Sequence, residues 1–287
     1  MPELAESLGA LIDDGARRLR RSGVGEPRRE AIRMWTELGQ RAPAEVFLES
    51  QHAVETTEAL RFQEAITRRA GGEPLPHITG CCGFRRLSLV SDARALIPRP
   101  ETEGLVDLLL QRVRTGRVAD VGTGSGCIAL SLALEGAYDE ITAIDRSAEA
   151  LTLARLNRAL VAGGVSLVQA DLCAPLGHGT LDALISNPPY LTVAEYSSLE
   201  SSVLDWEPAL ALVSGEDGMA ATTRLLDEAR NVLRPGGWLV LEVDCTRAGA
   251  AAGQASAFGW SEVTVHLDPF GRERYLLAQR SDQGDLG

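Results

Sequence analysis

Lysine is missing from this chain of 287 residues, so all 28 of its fixed side-chain cations are arginine guanidiniums. Aromatic residues are scarce at 5%, which leaves the 45% hydrophobic content to aliphatic side chains. No apolar run approaches the roughly 20 residues needed to cross a bilayer. The start, "MPELAESLGALIDDGARR", has neither the basic opening nor the apolar block of a secretory leader. A cytoplasmic protein without a membrane partner is expected. The five cysteines, Cys81, Cys82, Cys127, Cys173 and Cys245, are odd in number and lack paired ligand spacing. They read as reduced structural thiols. The four histidines, His52, His77, His178 and His266, are scattered, so no metal site is expected.

The net charge of −12 is confined to one part of the chain. Residues 1–90 hold 13 Arg against 13 Asp and Glu, whereas residues 91–287 hold 15 against 27. An acidic region repels a phosphate backbone unless its basic groups cluster, which argues against a stable nucleic-acid partner.

The length admits one large or two modest domains. "ELAESLGALIDDGARRLRR" sets Leu4, Leu8, Leu11, Ile12 and Leu19 on one helical face, and "EPRREAIRMWTELGQ" repeats apolar residues at Ile32, Trp35 and Leu38. A third helix is expected from about Thr56 to Arg69, stopped by Gly71 and Gly72. Residues 74–90 read as short strands and turns, a hairpin. Then strands and helices alternate: "GRVADVG", a helix from Ser125, "EITAID", a helix from Ser147, "VSLVQAD", "LDALISN", a helix from about Gly218, and "GGWLVLEV". This alternation predicts an α/β fold with a parallel, doubly wound sheet. "SEVTVHLD" and "RERYLLAQR" end the fold as an antiparallel hairpin around "PFG". The expected domains are a helical one over 1–73, a hairpin linker over 74–94, an α/β domain over 95–280 and a disordered tail over 281–287.

The first chemical signal is "VADVGTGSGCIALSLA", with Gly122, Gly124 and Gly126 between a strand and a helix. Glycine permits the sharp turn and lets a ligand approach the backbone. Asp145 ends the next strand 21 residues after Gly124 and can accept hydrogen bonds from ribose hydroxyls. Dinucleotide turns read G-x-G-x-x-G, so that pyrophosphate sits on the helix terminus. Here the spacing is G-x-G-x-G and Asp120 precedes it, which suits a ligand with a cationic end such as S-adenosyl-L-methionine. Asp171 closes the third strand, near the expected adenine, or serves only as a turn residue.

The second signal is "LDALISNPPYL". Asn187 and Pro188 each precede a proline, so both are extended, and Pro188 and Pro189 have fixed φ and no N–H. The Asn187 side-chain oxygen and the Pro188 carbonyl can accept the two hydrogens of one planar –NH₂ group, while Tyr190 lies against the flat face of its carrier. Such acceptors would orient the lone pair of an amide nitrogen toward a sulfonium methyl and stabilise the charge that appears there.

Together "DVGTGSG" and "NPPY" resemble class I methyltransferases that act on planar amino groups, those of adenine and cytosine included. "ALIPRPETEGLVDLLL", "GGEPLPHITG", "DWEPALAL" followed by "GEDGM", and "LRPGGWLVLEV" narrow the resemblance to the peptide chain release factor N5-glutamine methyltransferases, the PrmC/HemK family, over roughly residues 55–280. It implies a Rossmann-like class I fold with a C-terminal antiparallel hairpin and a small N-terminal helical domain. The implied activity is methyl transfer from S-adenosyl-L-methionine to the glutamine of the Gly-Gly-Gln motif in release factors. By motif, Gly122, Thr123, Gly124, Ser125, Gly126, Asp145, Asp171 and Leu172 would hold the cofactor, with Asn187 touching it. Asn187, Pro188, Pro189 and Tyr190 would hold the glutamine, with Asn187, Pro188 and Tyr190 taking part in catalysis; the "RPETE" stretch, Arg99 to Glu103, would border the site, Arg99 and Glu101 on the substrate side. Glu101 and Glu103, with Pro100, equally suit a helix start.

The sequence departs from the family pattern at three places. Asp244 and Arg247 follow Glu242 where Glu-x-Gly-x-x-Gln is usual, His77 replaces a common tyrosine, and "CCGFRRLSL" has only Phe84 as an aromatic. Two other readings stay open on these motifs: an amino-methyltransferase of nucleic-acid bases, and a cofactor-binding scaffold without turnover.

Overall fold

A computed structural model of the chain describes residues 7–161 and 164–281. Leu4, and the expected tail apart from Ser281, lie outside the described residues. The chain divides into two compact units. The first runs through Cys81 and takes in Glu200–Trp206; the second holds Cys82–Leu199 and the chain from Glu207 onward.

The first unit is helical. Ser7 caps Leu8–Arg21 by accepting from the Ala10 amide, and Leu8, Leu11, Ile12 and Leu19 are buried as their spacing requires. Pro27–Gly39 turns a slightly different face inward than its apolar spacing predicts. Ala31, Met34 and Trp35 are buried, whereas Ile32 and Leu38 lie at the edge of that core. Trp35 meets Phe62 of Thr56–Ala70 edge-on at 5.6 Å. The residues expected to begin the hairpin instead form a helical turn, Leu75–Thr79. Pro74 and Pro76 suit a helix start, and Leu75 and Ile78, three apart, both turn inward. Pro43–Leu48 was not expected.

The hairpin itself is β1 (Cys81–Phe84) and β2 (Leu87–Val90). The large sheet comprises β3 (Thr115–Val121), β4 (Ala137–Asp145), β5 (Val165–Gln169), β6 (Leu181–Ser186), β7 (Leu233–Glu242), β8 (Trp260–Leu267) and β9 (Glu273–Arg280). Its order is β5-β4-β3-β6-β7-β9-β8, parallel up to β7 and antiparallel at β9 and β8. This is the doubly wound sheet with a terminal hairpin that the sequence predicts.

Both faces of the central strands are covered, so β3, β6 and β7 end in continuous runs of buried residues. Val118, Ile185 and Val240 face the helices Pro100–Arg112 and Cys127–Glu135. Ala119, Leu184, Leu239 and Leu241 face Ala220–Val232 and Ala248–Ala257. Two helices begin two residues later than expected, at Cys127 and Ala220, because Gly126 and Gly218 hold left-handed φ values that a helix excludes.

Candidate active site

β3 is flanked by β4 and β6, and the chain order reverses there. Open α/β sheets have their crevice at this point, beyond the carboxyl ends of the strands. A cavity of about 460 Å³ lies there. Of the residues singled out in the sequence, Gly122, Thr123, Gly124, Ser125, Asp145, Asp171, Leu172, Asn187, Pro189 and Arg99 line it. Gly126, Pro188, Tyr190 and Glu101 do not.

The turn after β3 spends its own amides. Gly122 and Thr123 both donate to the Ile144 carbonyl (2.8 and 2.9 Å), Gly126 donates to the Thr123 carbonyl (2.8 Å), and Gly124 donates to Asp145 Oδ2 (2.9 Å). Gly122 and Gly124 have φ of +74° and +55°, which only glycine adopts freely. Amides committed in this way have no hydrogen left for a pyrophosphate. Asp120, expected beside the ligand, is instead fully buried behind the turn. Its Oδ2 accepts from Thr123 Oγ1 (2.6 Å) and the Ala129 amide (3.1 Å), while Oδ1 has no partner among the described residues. Burial pushes its carboxyl up to about 7, against the pull of those two hydrogen bonds.

Asp145 does two jobs for its own backbone, since Oδ1 also accepts from the Ser147 amide (2.8 Å). Ser147 in turn caps Ala148–Arg158 through the Ala150 amide. Each oxygen of Asp145 keeps a second lone pair for the cavity it lines, and burial raises its carboxyl. Leu172 also lines the cavity with a left-handed φ of +45°, a costly conformation for a leucine. Asp171 is an exposed residue of the rim, paired with Arg224 at 2.9 Å.

Across the cavity, Ser186 Oγ donates to the Val121 carbonyl (2.6 Å) and ties the end of β6 to β3. Asn187 follows at once, and its Nδ2 donates to Thr102 Oγ1 (3.1 Å). Thr102 Oγ1 donates to Glu242 Oε2 (2.8 Å), and both residues are buried. Arg99 pairs with buried Glu207 at 2.6 Å, and the other oxygen of Glu207 accepts from the Ile97 amide (3.1 Å). Glu207 is thereby fastened to "IPRP". Glu101 turns to Arg272 (2.9 Å) rather than to the cavity, and the Tyr275 hydroxyl donates to its carbonyl. Burial, with Glu242 nearby, pushes the Tyr190 hydroxyl up to about 12. A Cβ on Gly218 would stand 2.5 Å from the Tyr190 carbonyl oxygen, so the glycine of "GEDGM" is what lets this loop reach the tetrapeptide.

Sequence reading missed Glu207 and Glu242 as site residues, and it placed Thr102 only within the "RPETE" stretch that borders the site. The available signal was a carboxylate inside an apolar run, "LVLEV", and another in "DWEPAL". Charges in such settings are buried only with partners.

Two family models match the chain. "PrmC N-terminal domain" matches residues 10–80, and "Methyltransferase small domain" matches residues 100–201. A release factor glutamine methyltransferase of Deinococcus radiodurans is 41% identical over 94% of this chain and 98% of its own. The chain belongs to the release factor glutamine methyltransferases. A Moorella thermoacetica member is 40% identical over 96% of this chain and all of its own. A methyltransferase structure from Pyrococcus furiosus shares the fold at 22% identity and a TM-score of 0.52, covering 68% of this chain and 89% of that one.

Within this methyltransferase the departure at Asp244 and Arg247 forms one cluster with the loop after Tyr190. Arg247 Nη2 holds Glu195 (2.7 and 2.8 Å), its Nε donates to the Asp217 carbonyl (2.8 Å), and its Nη1 lies 3.2 Å from Asp244. Asp244 and Arg247 therefore brace the segment that follows Tyr190.

Proposed function

We propose that the protein transfers a methyl group from S-adenosyl-L-methionine to the side-chain amide nitrogen of the glutamine in the Gly-Gly-Gln motif of peptide chain release factors. A substrate of the translation machinery implies a cytoplasmic site of action. The fit of the cofactor is supported by the cavity's volume, by its apolar walls at Val121, Ile128, Ile144 and Leu172, and by the Gly122, Thr123, Gly124 and Gly126 amides being already committed within the turn. Gly122 to Gly126 would pass beneath the methionine portion, Asp145 would accept the ribose hydroxyls, and Asp171 and Leu172 would border the adenine. Bound there, the cofactor supplies an electrophilic methyl whose leaving group is a neutral thioether.

The remaining work falls to the chain's own residues. A carboxamide nitrogen is a weak nucleophile because its lone pair is delocalised into its carbonyl. Asn187 Oδ1 and the Pro188 carbonyl would each accept one of its hydrogens, which orients the lone pair and stabilises the positive charge growing on nitrogen. Tyr190 would cover the flat face of the amide, and Pro189 and Arg99 would line its approach. Positioning of this kind can lower a barrier by up to about 7–11 kcal/mol. No strong base is required, since the proton is acidic once the methyl is attached.

The observation that carries the reading is the Asn187 amide, anchored through its nitrogen to buried Thr102 and so free to accept through its oxygen. The test is labelling from radioactive cofactor with a release factor, DNA and RNA in parallel. Label on the release factor glutamine is expected, and a glutamine-to-alanine substrate should take none. Label on nucleic acid alone would overturn the reading, as would tight cofactor binding without any transfer.

A further inference from the structure

We infer that Thr102 and Glu242 act as a positioning relay, fixing which end of the Asn187 amide faces the substrate glutamine. The relay rests on the role proposed above for Asn187. Thr102 stands in the first turn of Pro100–Arg112 and is 2% exposed; Glu242 ends β7 and is 1% exposed. In the parallel register Ser186 lies opposite Leu241, so Asn187 and Glu242 are the next residues of adjacent strands. Thr102 fills the space between them, 3.1 Å from Asn187 Nδ2 and 2.8 Å from Glu242 Oε2.

A hydroxyl has one proton. An ionised carboxylate can only accept, so Glu242 takes the Thr102 proton. The Thr102 oxygen is then an acceptor, and Asn187 must present it with –NH₂. The Asn187 carbonyl oxygen is thereby turned the other way, toward a substrate amide that needs an acceptor. The opposite rotamer would set –NH₂ against –NH₂, two donors without an acceptor. The charge on Glu242 therefore sets the polarity of a group it does not touch.

The groups around Glu242 permit this state but leave it close to titration. Arg274 and Tyr275 on β9, Glu101 on the helix, Asp268 in the final hairpin and Tyr190 after β6 face it. Arg274 favours the carboxylate, whereas Glu101 and Asp268 oppose it. Burial is the largest influence and pushes Glu242 up to about 7. A neutral carboxyl can donate to Thr102 in place of accepting, so the fixed polarity holds above that pH and is lost as pH falls through it. The two tyrosines stay neutral throughout, because burial raises both hydroxyls.

The experiment measures methyl transfer by the full chain to a release factor, as kcat and KM across about pH 6 to 8, with binding of S-adenosylhomocysteine by calorimetry. Thr102→Val, which keeps the shape and removes the hydroxyl, should lose about 100-fold in kcat through misplacement of Asn187, with product affinity unchanged. Thr102→Ser should recover most of that loss. Wild-type kcat should fall below about pH 7, while Glu242→Gln should be slow and flat in pH. Unchanged kcat in Thr102→Val, or a loss explained wholly by weaker product binding, would overturn the relay. A Glu242→Gln profile that follows the wild type would do so as well, and it decides the matter if the valine variant does not fold. A wild-type chain that labels no release factor would instead sink the functional reading, and the relay with it.

Discussion

On the β3–β4 side of the cavity, the residues facing the ligand space come mainly from three short segments at strand ends, within 121–128, 144–150 and 170–172. On the β6 side, Asn187 reaches Thr102 across 85 residues of sequence, and Thr102 reaches Glu242 across 140. The first side is made mostly of backbone held by backbone, with Asp145 clasping the turn. The second is made of side chains whose donors and acceptors must agree along a line. A backbone-built wall tolerates change outside its glycines, whereas in a buried polar line a fault at any member propagates to the end. The methyl donor and the methyl acceptor are thus held by different kinds of construction, and the two should separate in experiment.

The sharpest way to break that separation is Asn187→Ala. It removes both the acceptor oxygen and the group that Thr102 holds, and kcat should fall by on the order of 10²–10³-fold, the cost of deleting one preorganised group. Binding of S-adenosylhomocysteine should be nearly unchanged. Equal losses in both measurements would mean that the two sides act as one unit. Asp145→Ala should do the reverse. It removes a charged acceptor whose hydrogen bonds contribute about 1.5–3 kcal/mol each, so the cofactor dissociation constant should rise about 100-fold. Turnover at saturating cofactor should survive. A lower melting temperature should accompany it, because the Gly124 and Ser147 amides lose their acceptor. Unchanged binding would remove Asp145 from the ribose.

The same contrast explains which parts of the molecule could be read in advance. The sheet, its terminal hairpin and the glycine turn are written in local periodicity and in residues a few positions apart, and they were legible. Asn187, Pro188 and Tyr190 were legible because two prolines impose one backbone shape whatever surrounds them. Thr102 was hidden inside "RPETE", where it looks like an ordinary residue of a first helical turn. Only the meeting of that helix with the ends of β6 and β7 reveals its hydroxyl as a bridge. Glu207 was hidden for the same reason, since its partners lie 110 and 108 residues away. Asp120 failed in the opposite direction. Its place before the glycines suggested a group facing the ligand, yet the strand's alternation turns it into the interior, where Thr123 and Ala129 claim it. Leu75–Thr79 was misread because a five-residue turn carries too little periodicity to distinguish from a strand.

Asp171 offers the mildest test of the backbone-built side. Its carboxylate borders the cavity, but its side chain and that of Arg224 are each about half exposed, at 51% and 52%. Exposed ion pairs contribute about 0–1 kcal/mol because water and salt screen them. Arg224 would also stay in place without Asp171, since Glu228 holds it at 2.8 Å. Asp171→Asn keeps the shape and a carbonyl acceptor while removing the charge. The cofactor dissociation constant should therefore rise by less than about fivefold, and that small rise should shrink further in high salt. A rise as large as that of Asp145→Ala, insensitive to salt, would make this rim carboxylate a direct and desolvated ligand. The β5 end would then bind through a side chain, and the division between a backbone-built cofactor wall and a side-chain-built acceptor wall would fail at that point.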